Sequence, residues 1–309
     1  MIRTRHLICS MSALEESKGK STIKDWIFLI RPANSIMVGL AVVVGIAVSS
    51  PSGHQFLNLL STTSLLGFIT GFAISSFSMV SNDVYDYEVD KVNQPARPVA
   101  SGRISLRSAK LYSIPFAAIG LVCGFLLSPI NLGFAAIFAA VGWYYNYHGK
   151  KLGLGGNSLV ALSLAIPYIF GSIALGSYSV NLAYLLALTS FLAGVGREVL
   201  KGISDIAGDK IRNIKSVAIS YGVEKAKLMA ALLFILAVIS SSFPVLAGVL
   251  GKGLLVYTIL VLITDGVFCY LALKTLRSKL NSESLRLKKI ALGGMMLGLL
   301  AYLLAGLSA

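Results

Sequence analysis

Asn82, Asp83, Asp86 and Asp90 stand at the end of a long apolar run, inside the segment SNDVYDYEVDKVNQPARPVASGR that spans residues 81–103. On a helix Asn82, Asp86 and Asp90 are four apart and share one face, with Asp83 close to it. Carboxylates packed this closely repel one another, so a folded chain must place positive charge among them. Their oxygens suit a hard cation such as Mg²⁺, which binds through one or two carboxylates and completes its shell with substrate phosphates. Lys91, Arg97 and Arg103 follow in the next loop and suit the outer oxygens of such a phosphate. The bland alternative, a solvated helix end, fits poorly. An acidic face on an apolar helix is costly unless it lines a polar cavity.

A second segment, GREVLKGISDIAGD at 196–209, carries Asp205 and Asp209 at the same spacing of four. Glu198 and Lys201 lie one to two turns earlier, and Arg197, Lys210 and Arg212 add positive charge. Two such clusters at one membrane level point to two metal ions holding a diphosphate, with Asp83, Asp86, Asp90, Asp205 and Asp209 as metal ligands. Of these, Asp86, Asp90, Asp205 and Asp209 are the catalytic candidates, since the metal they hold neutralises the leaving group as its carbon–oxygen bond breaks. An allylic carbocation formed in that step needs a dry pocket with aromatic faces. The substrate-binding candidates are Asn34, Asn82, Arg97, Tyr147, Lys150, Lys151, Arg197 and Lys201. Asn34 has two readings, substrate contact or backbone satisfaction at a helix start. Trp143 and Tyr144 read as an interfacial aromatic belt. For Tyr147 and Lys151 the belt and a phosphate contact both stand. Asp265, near the middle of a late apolar run and far in depth from both clusters, reads as a locally hydrogen-bonded acid.

The elements that must position these residues are membrane helices. The chain of 309 residues is 56% hydrophobic and 13% charged, with mean hydropathy +0.79. A soluble domain carries about twice that share of charge. The apolar runs are long enough to span a bilayer. They predict an all-α membrane protein with nine transmembrane helices, at about 25–49, 57–81, 107–127, 130–147, 157–176, 181–201, 226–248, 253–274 and 288–307. Residues 1–22 read as a polar cytoplasmic tail without the core of a signal peptide, and Met11 is an alternative start. Residues 23–309 read as a single domain.

Charge sets the orientation. Lys and Arg gather on one side of the runs (Arg3, Arg5, Lys18, Lys20 and Lys24 in the tail; Lys150, Lys151, Lys279 and others in loops), and only Lys252 falls on the opposite side. The basic side, with the N-terminus and the acidic segments, is therefore expected in the cytoplasm and the C-terminus outside. The net charge of +14 follows this layout rather than a nucleic-acid patch. Cys9, Cys123 and Cys269 lie far apart, which indicates neither a disulfide framework nor a zinc site. Asp90-Lys91-Val92 recurs as Asp209-Lys210-Ile211, and Ala109-Lys110-Leu111 as Ala226-Lys227-Leu228. The offset of 117 to 119 residues predicts two four-helix pseudo-repeats, about 25–147 and 157–274, plus one helix around a central cavity.

These residues resemble the UbiA-type intramembrane prenyltransferase family. Its motif NDxxDxxxD is matched by Asn82, Asp83, Asp86 and Asp90, its RPxxxG by Arg97, Pro98 and Gly102, its DxxxD by Asp205 and Asp209, and its Tyr-Lys loop by Tyr147 and Lys151. The resemblance covers nearly the whole chain. It implies a nine-helix bundle whose cavity opens sideways to lipid, with two Mg²⁺ ions bridging the diphosphate of an isoprenyl donor. Within the family, YNYHGKKLGLGGN and REVLKGISDIAGD resemble the archaeal branch that joins a geranylgeranyl group to geranylgeranylglyceryl phosphate. Members of that branch tend to carry an acid where this chain has Gly202 and a proline where it has Ala218. The expected partners are an isoprenyl diphosphate donor, a lipid-phosphate acceptor and membrane lipid, with neither nucleic acid nor an obligate protein partner. Prenylation of an aromatic quinone precursor is the nearest alternative. A transporter is remote, because its polar groups would sit near the midplane. A CDP-alcohol phosphotransferase lacks support, since no AR pair follows Asp86.

Overall fold

The computed structural model describes residues 21–51, 53–178, 182–211, 214–278 and 281–308. The expected tail up to Lys20, with Cys9 and Met11, lies outside them, as do Arg212 and Lys279. Nine long helices follow one another: α1 (Pro32–Ser49), α2 (Thr62–Tyr85), α3 (Leu106–Leu127), α4 (Pro129–Tyr147), α5 (Leu154–Ala174), α6 (Leu182–Ser204), α7 (Val223–Ser241), α8 (Leu254–Arg277) and α9 (Asn281–Ser308). No strand occurs among the described residues. Eight of the nine are long and apolar enough to cross a membrane. The exception is α4, a helix of 19 residues whose ends carry Asn131 and the polar aromatic run WYYNY. Of the nine crossings expected, eight are matched by helices with the length and apolarity to span a bilayer.

Four boundaries differ from expectation: α7 ends at Ser241 ahead of a short helix Phe243–Leu246, α9 starts as early as Asn281, and two runs begin with a break. The first apolar run is not one helix from about residue 25. A short helix, Ile23–Leu29, precedes α1, and the chain breaks at Arg31, where φ is 45° and ψ 68°. Pro32 explains the break, because its ring disfavours helical geometry in the residue before it. The second run likewise begins as a separate short helix, Gln55–Leu59, and α2 starts behind the cap Ser61, whose hydroxyl accepts from the Ser64 N–H. The short turn between α3 and α4 is a single extended residue, Ser128, which caps α4 through the Asn131 N–H and is followed by Pro129.

The helices close into a ring in chain order, with α9 returning to α1 and α6 packing on both α5 and α7. Contact between α1 and α5 is backbone-close: a Cβ on Gly171 would run into the Val42 carbonyl. Buried apolar side chains of α1 and of α5 to α9 form most of the larger core clusters. Leu29, Val80, Val99, Ile104 and Ala109 form a smaller one under the first acidic segment.

Candidate active site

Both acidic segments occur where a long helix breaks into a short one. After α2 ends at Tyr85, Asp86 is the junction residue (φ −87°, ψ 4°) and Tyr87–Asn93 resumes the helix. After α6 ends at Ser204, Asp205 is the turn residue before Ile206–Ile211. Helical hydrogen bonds carry through both breaks, from Asp90 N–H to the Asp86 carbonyl at 2.7 Å and from Asp209 N–H to the Asp205 carbonyl at 2.9 Å. The expected i, i+4 relation therefore survives although neither helix is continuous.

The positive charge demanded by the acids is present. Asp86 receives Lys150 Nζ at 2.6 Å on each oxygen. Asp90 receives Arg97 Nη1 at 2.6 Å, and the same atom lies 3.3 Å from Asp83 Oδ1. Asp83 is buried and also takes Arg31 Nη2 at 2.6 Å. Asn82 accepts from Arg31 at 2.9 Å and donates to Asn146 Oδ1 at 2.9 Å, and Asn146 donates to the Ser78 carbonyl at 3.0 Å. These amides fix the C-terminal end of α4 against α2. In the second segment Glu198 is buried, with Arg197 Nη1 at 2.6 Å and Lys201 Nζ at 3.6 Å. Asp205 accepts from the Ser204 hydroxyl at 2.9 Å.

The lysine loop that follows α4 is held against Lys215, beyond the second segment. Gly153, with φ 58° and ψ −118°, lies so close to the Lys215 carbonyl that a Cβ would collide with it. Lys150, three residues earlier, meets Asp86 of the first segment while its loop rests on Lys215. Tyr145 completes the junction. Its ring centroid is 5.9 Å from Lys150 Nζ, and its hydroxyl feels the charges of Glu198, Asp86 and Asp209.

Not every expected residue joins this group. Tyr147 is 62% exposed and stacks on Trp143 with centroids 5.6 Å apart, so it shares the aromatic surface rather than the acidic junction. Lys151 and Asn34 are exposed, with no side-chain partner among the described residues. Asp265 lies apart, accepting Ser241 Oγ at 3.0 and 2.9 Å beside a small cavity of α6–α9. Arg31, Tyr145 and Glu198 belong to the site more deeply than their sequence signals alone indicated. In the sequence Arg31 stands out by nothing but the proline after it, and Glu198 by lying one to two turns before Asp205.

The oxygen donors fit Mg²⁺. Among the described residues no three or more His, Cys, Asp or Glu converge on one point. An ion held here would take only one or two carboxylates from the chain and need substrate oxygens to complete its shell, which is how Mg²⁺ binds substrate phosphates.

Known proteins resemble this chain over nearly its whole length. Digeranylgeranylglyceryl phosphate synthase of Archaeoglobus fulgidus is 35% identical over 277 residues, 89% of this chain and 92% of the relative. A solved structure concerned with digeranylgeranylglyceryl phosphate synthase in membranes superposes with a TM-score of 0.78 at 30% identity, covering 93% of this chain and 99% of that one. A UbiA homologue from Archaeoglobus fulgidus, solved with GPP and Mg²⁺, shares the fold (TM-score 0.62, 18% identity, 90% of this chain and 99% of that one). The family model for UbiA prenyltransferases matches residues 38–302, and the chain belongs to the UbiA prenyltransferase family.

Proposed function

We propose that the protein transfers a geranylgeranyl group from geranylgeranyl diphosphate to geranylgeranylglyceryl phosphate, making the second ether bond of an archaeal membrane lipid. The observation that carries this reading is the wealth of base at the site. Arg31, Arg97, Lys150, Arg197 and Lys201 surround Asp83, Asp86, Asp90 and Glu198. A diphosphate donor with an aromatic acceptor needs fewer cations than a diphosphate donor with a phosphate-bearing one. The similarity to digeranylgeranylglyceryl phosphate synthase supports the same choice.

Asp86 and Asp90 of the first segment and Asp205 and Asp209 of the second hold two Mg²⁺ ions in this reading. When bound, the ions supply Lewis-acid neutralisation of the departing diphosphate. Lys150 and Arg197 leave their carboxylates for phosphate oxygens, and Arg97 leaves Asp90 while Asp83 keeps it in place, so no base is left bare. Tyr145 offers an aromatic face at the reacting end, where a developing allylic cation is stabilised without a competing nucleophile. The acceptor hydroxyl, a weak nucleophile, attacks once ionisation of the donor is under way, and its proton leaves late to a carboxylate of the site. Spare bases, with Lys201 first among them, position the acceptor through its own phosphate. The basic face is cytoplasmic, all nine helices cross, and the C-terminus is external.

The decisive experiment incubates purified protein and geranylgeranyl diphosphate with either geranylgeranylglyceryl phosphate or 4-hydroxybenzoate, with and without EDTA. Turnover of the lipid phosphate, abolished by EDTA, is expected. Comparable prenylation of 4-hydroxybenzoate would replace the ether-lipid reading with the aromatic one.

A further inference from the structure

Asp83 is held differently from the other acids of its segment. Its side chain is 1% exposed, and Oδ1 alone takes both Arg31 and Arg97. Its Oδ2 is enclosed and has no hydrogen-bond partner. An ion would have to displace two guanidinium groups to reach Oδ1, and would have to open the protein to reach Oδ2. Asp86, in contrast, is one lysine away from release.

Arg31 is brought to this point from outside the segment, at a conformational cost. It is the one non-glycine residue with positive φ among the described residues. Strain of this kind persists only where the surroundings impose it, and it concentrates at ligand clamps. The surroundings here are Asn82 Oδ1 at 2.9 Å, Asp83 Oδ1 at 2.6 Å and Met79 Sδ at 3.5 Å. A guanidinium carries five N–H donors in a rigid fork. Arg97 spends only Nη1 on the acids, and Arg31 leaves Nε without an acceptor among the described residues. The two side chains remain 16% and 26% exposed, so the unspent donors have access to a ligand.

We propose that Asp83 is an anchor rather than a metal ligand, and that it holds Arg31 and Arg97 as a two-arginine clamp for a phosphoryl oxyanion. The planar fork suits tetrahedral phosphate oxygens, and lysine does not replace it. This inference rests on the diphosphate-transfer reading above and adds Arg31 to its binding residues. The oxyanion belongs either to the donor diphosphate or to the acceptor phosphate, which present the same chemistry.

The test uses full-length protein in detergent, with inorganic pyrophosphate as probe, titrated calorimetrically at several Mg²⁺ concentrations. The variants are Asp83→Asn, Arg31→Gln, Arg31→Lys, the double Asp83→Asn/Arg31→Gln, and Asp86→Asn. Asp83→Asn and Arg31→Gln are each expected to weaken pyrophosphate binding about tenfold, as loss of a charged hydrogen bond does. The double variant is expected to be no weaker than the poorer single one, Arg31→Lys is expected not to rescue, and the half-saturating Mg²⁺ concentration is expected to stay within about twofold. A raised KM for geranylgeranyl diphosphate assigns the clamp to the donor, and a raised KM for geranylgeranylglyceryl phosphate assigns it to the acceptor. If Asp83→Asn raises the Mg²⁺ requirement as far as Asp86→Asn does, Asp83 is a ligand and the proposal fails. It fails equally if Arg31→Gln binds pyrophosphate normally, a result that decides the matter even where Asp83→Asn does not fold. An Asp86→Asn protein with unaltered Mg²⁺ dependence would overturn the transfer reading instead, while pyrophosphate binding still judges the clamp.

Discussion

Replacing Gly153 by alanine tests whether the close contact between the lysine loop and the Lys215 carbonyl positions Lys150. Gly153 has φ 58° and ψ −118°, a conformation that an L-residue adopts only under strain of about 1–3 kcal/mol. The added methyl also meets the Lys215 carbonyl at less than contact distance, and overpacking of that kind costs about 1–3 kcal/mol more. The loop relieves both by moving off Lys215, and Lys150, three residues away, moves with it. A displacement of about 1 Å at a reacting group lowers the rate on the order of 100-fold. Gly176→Ala is the control. Its φ of 73° imposes similar backbone strain, but nothing lies within 4 Å of the added carbon. The assay is kcat/KM for geranylgeranyl diphosphate, with thermal unfolding measured alongside. Gly176→Ala is expected to lower the unfolding temperature and leave kcat/KM within about twofold, because strain remote from the site costs stability alone. Gly153→Ala is expected to lose both. A Gly153→Ala enzyme as active as the control would show that contact with Lys215 does not place Lys150, and the positional argument would fall.

Three further outcomes follow from the same geometry. Lys150→Met strips Asp86 of its partner and is expected to lower turnover roughly 100-fold, as loss of a preorganised charged group does, whereas exposed Lys151→Met stays near wild type. Tyr145→Leu is expected to lower kcat more than Tyr147→Leu, because the Tyr145 ring lies beside Lys150 of the acidic junction whereas Tyr147 is exposed, and parity between the two in steady-state assays would contradict the assignment. The Thr22 backbone N–H, then the Thr22 hydroxyl and Arg103, hold the Asp25 carboxyl below its usual range, so it stabilises the docking of Ile23–Leu29 above the unfolded pKa and loses that effect as pH falls through the folded one. Trp26 packs edge-on to Tyr112 at 4.8 Å and reports this docking by fluorescence in a Trp143→Phe background, with release expected below about pH 4 and absent in Asp25→Asn.

Helix positions and the two DxxxD segments were legible because both are local. A run of about 20 apolar residues has one economical fate in a bilayer, and residues four apart share a face whatever surrounds them. The break at Asp86 did not spoil the second inference, since the hydrogen bonds from Asp86 to Asn82 and from Asp90 to Asp86 persist through it. Tyr145 and Tyr147 mark where local reasoning stops. Two residues apart on α4, they point to nearly opposite sides, and no spacing says which side faces the acids. That rotation is set by partners distant in sequence. Asn131 at one end donates to the Phe170 carbonyl of α5, and Asn146 at the other donates to the Ser78 carbonyl of α2. Both amides are buried, so turning α4 by half a revolution would leave each without a partner at about 1–3 kcal/mol apiece. The Tyr-Lys pairing read from spacing, Tyr147 with Lys151, names the surface-facing members of each doublet. The same two amides turn Tyr145 toward the acids, and the loop clamped at Gly153 delivers Lys150 to Asp86 beside it.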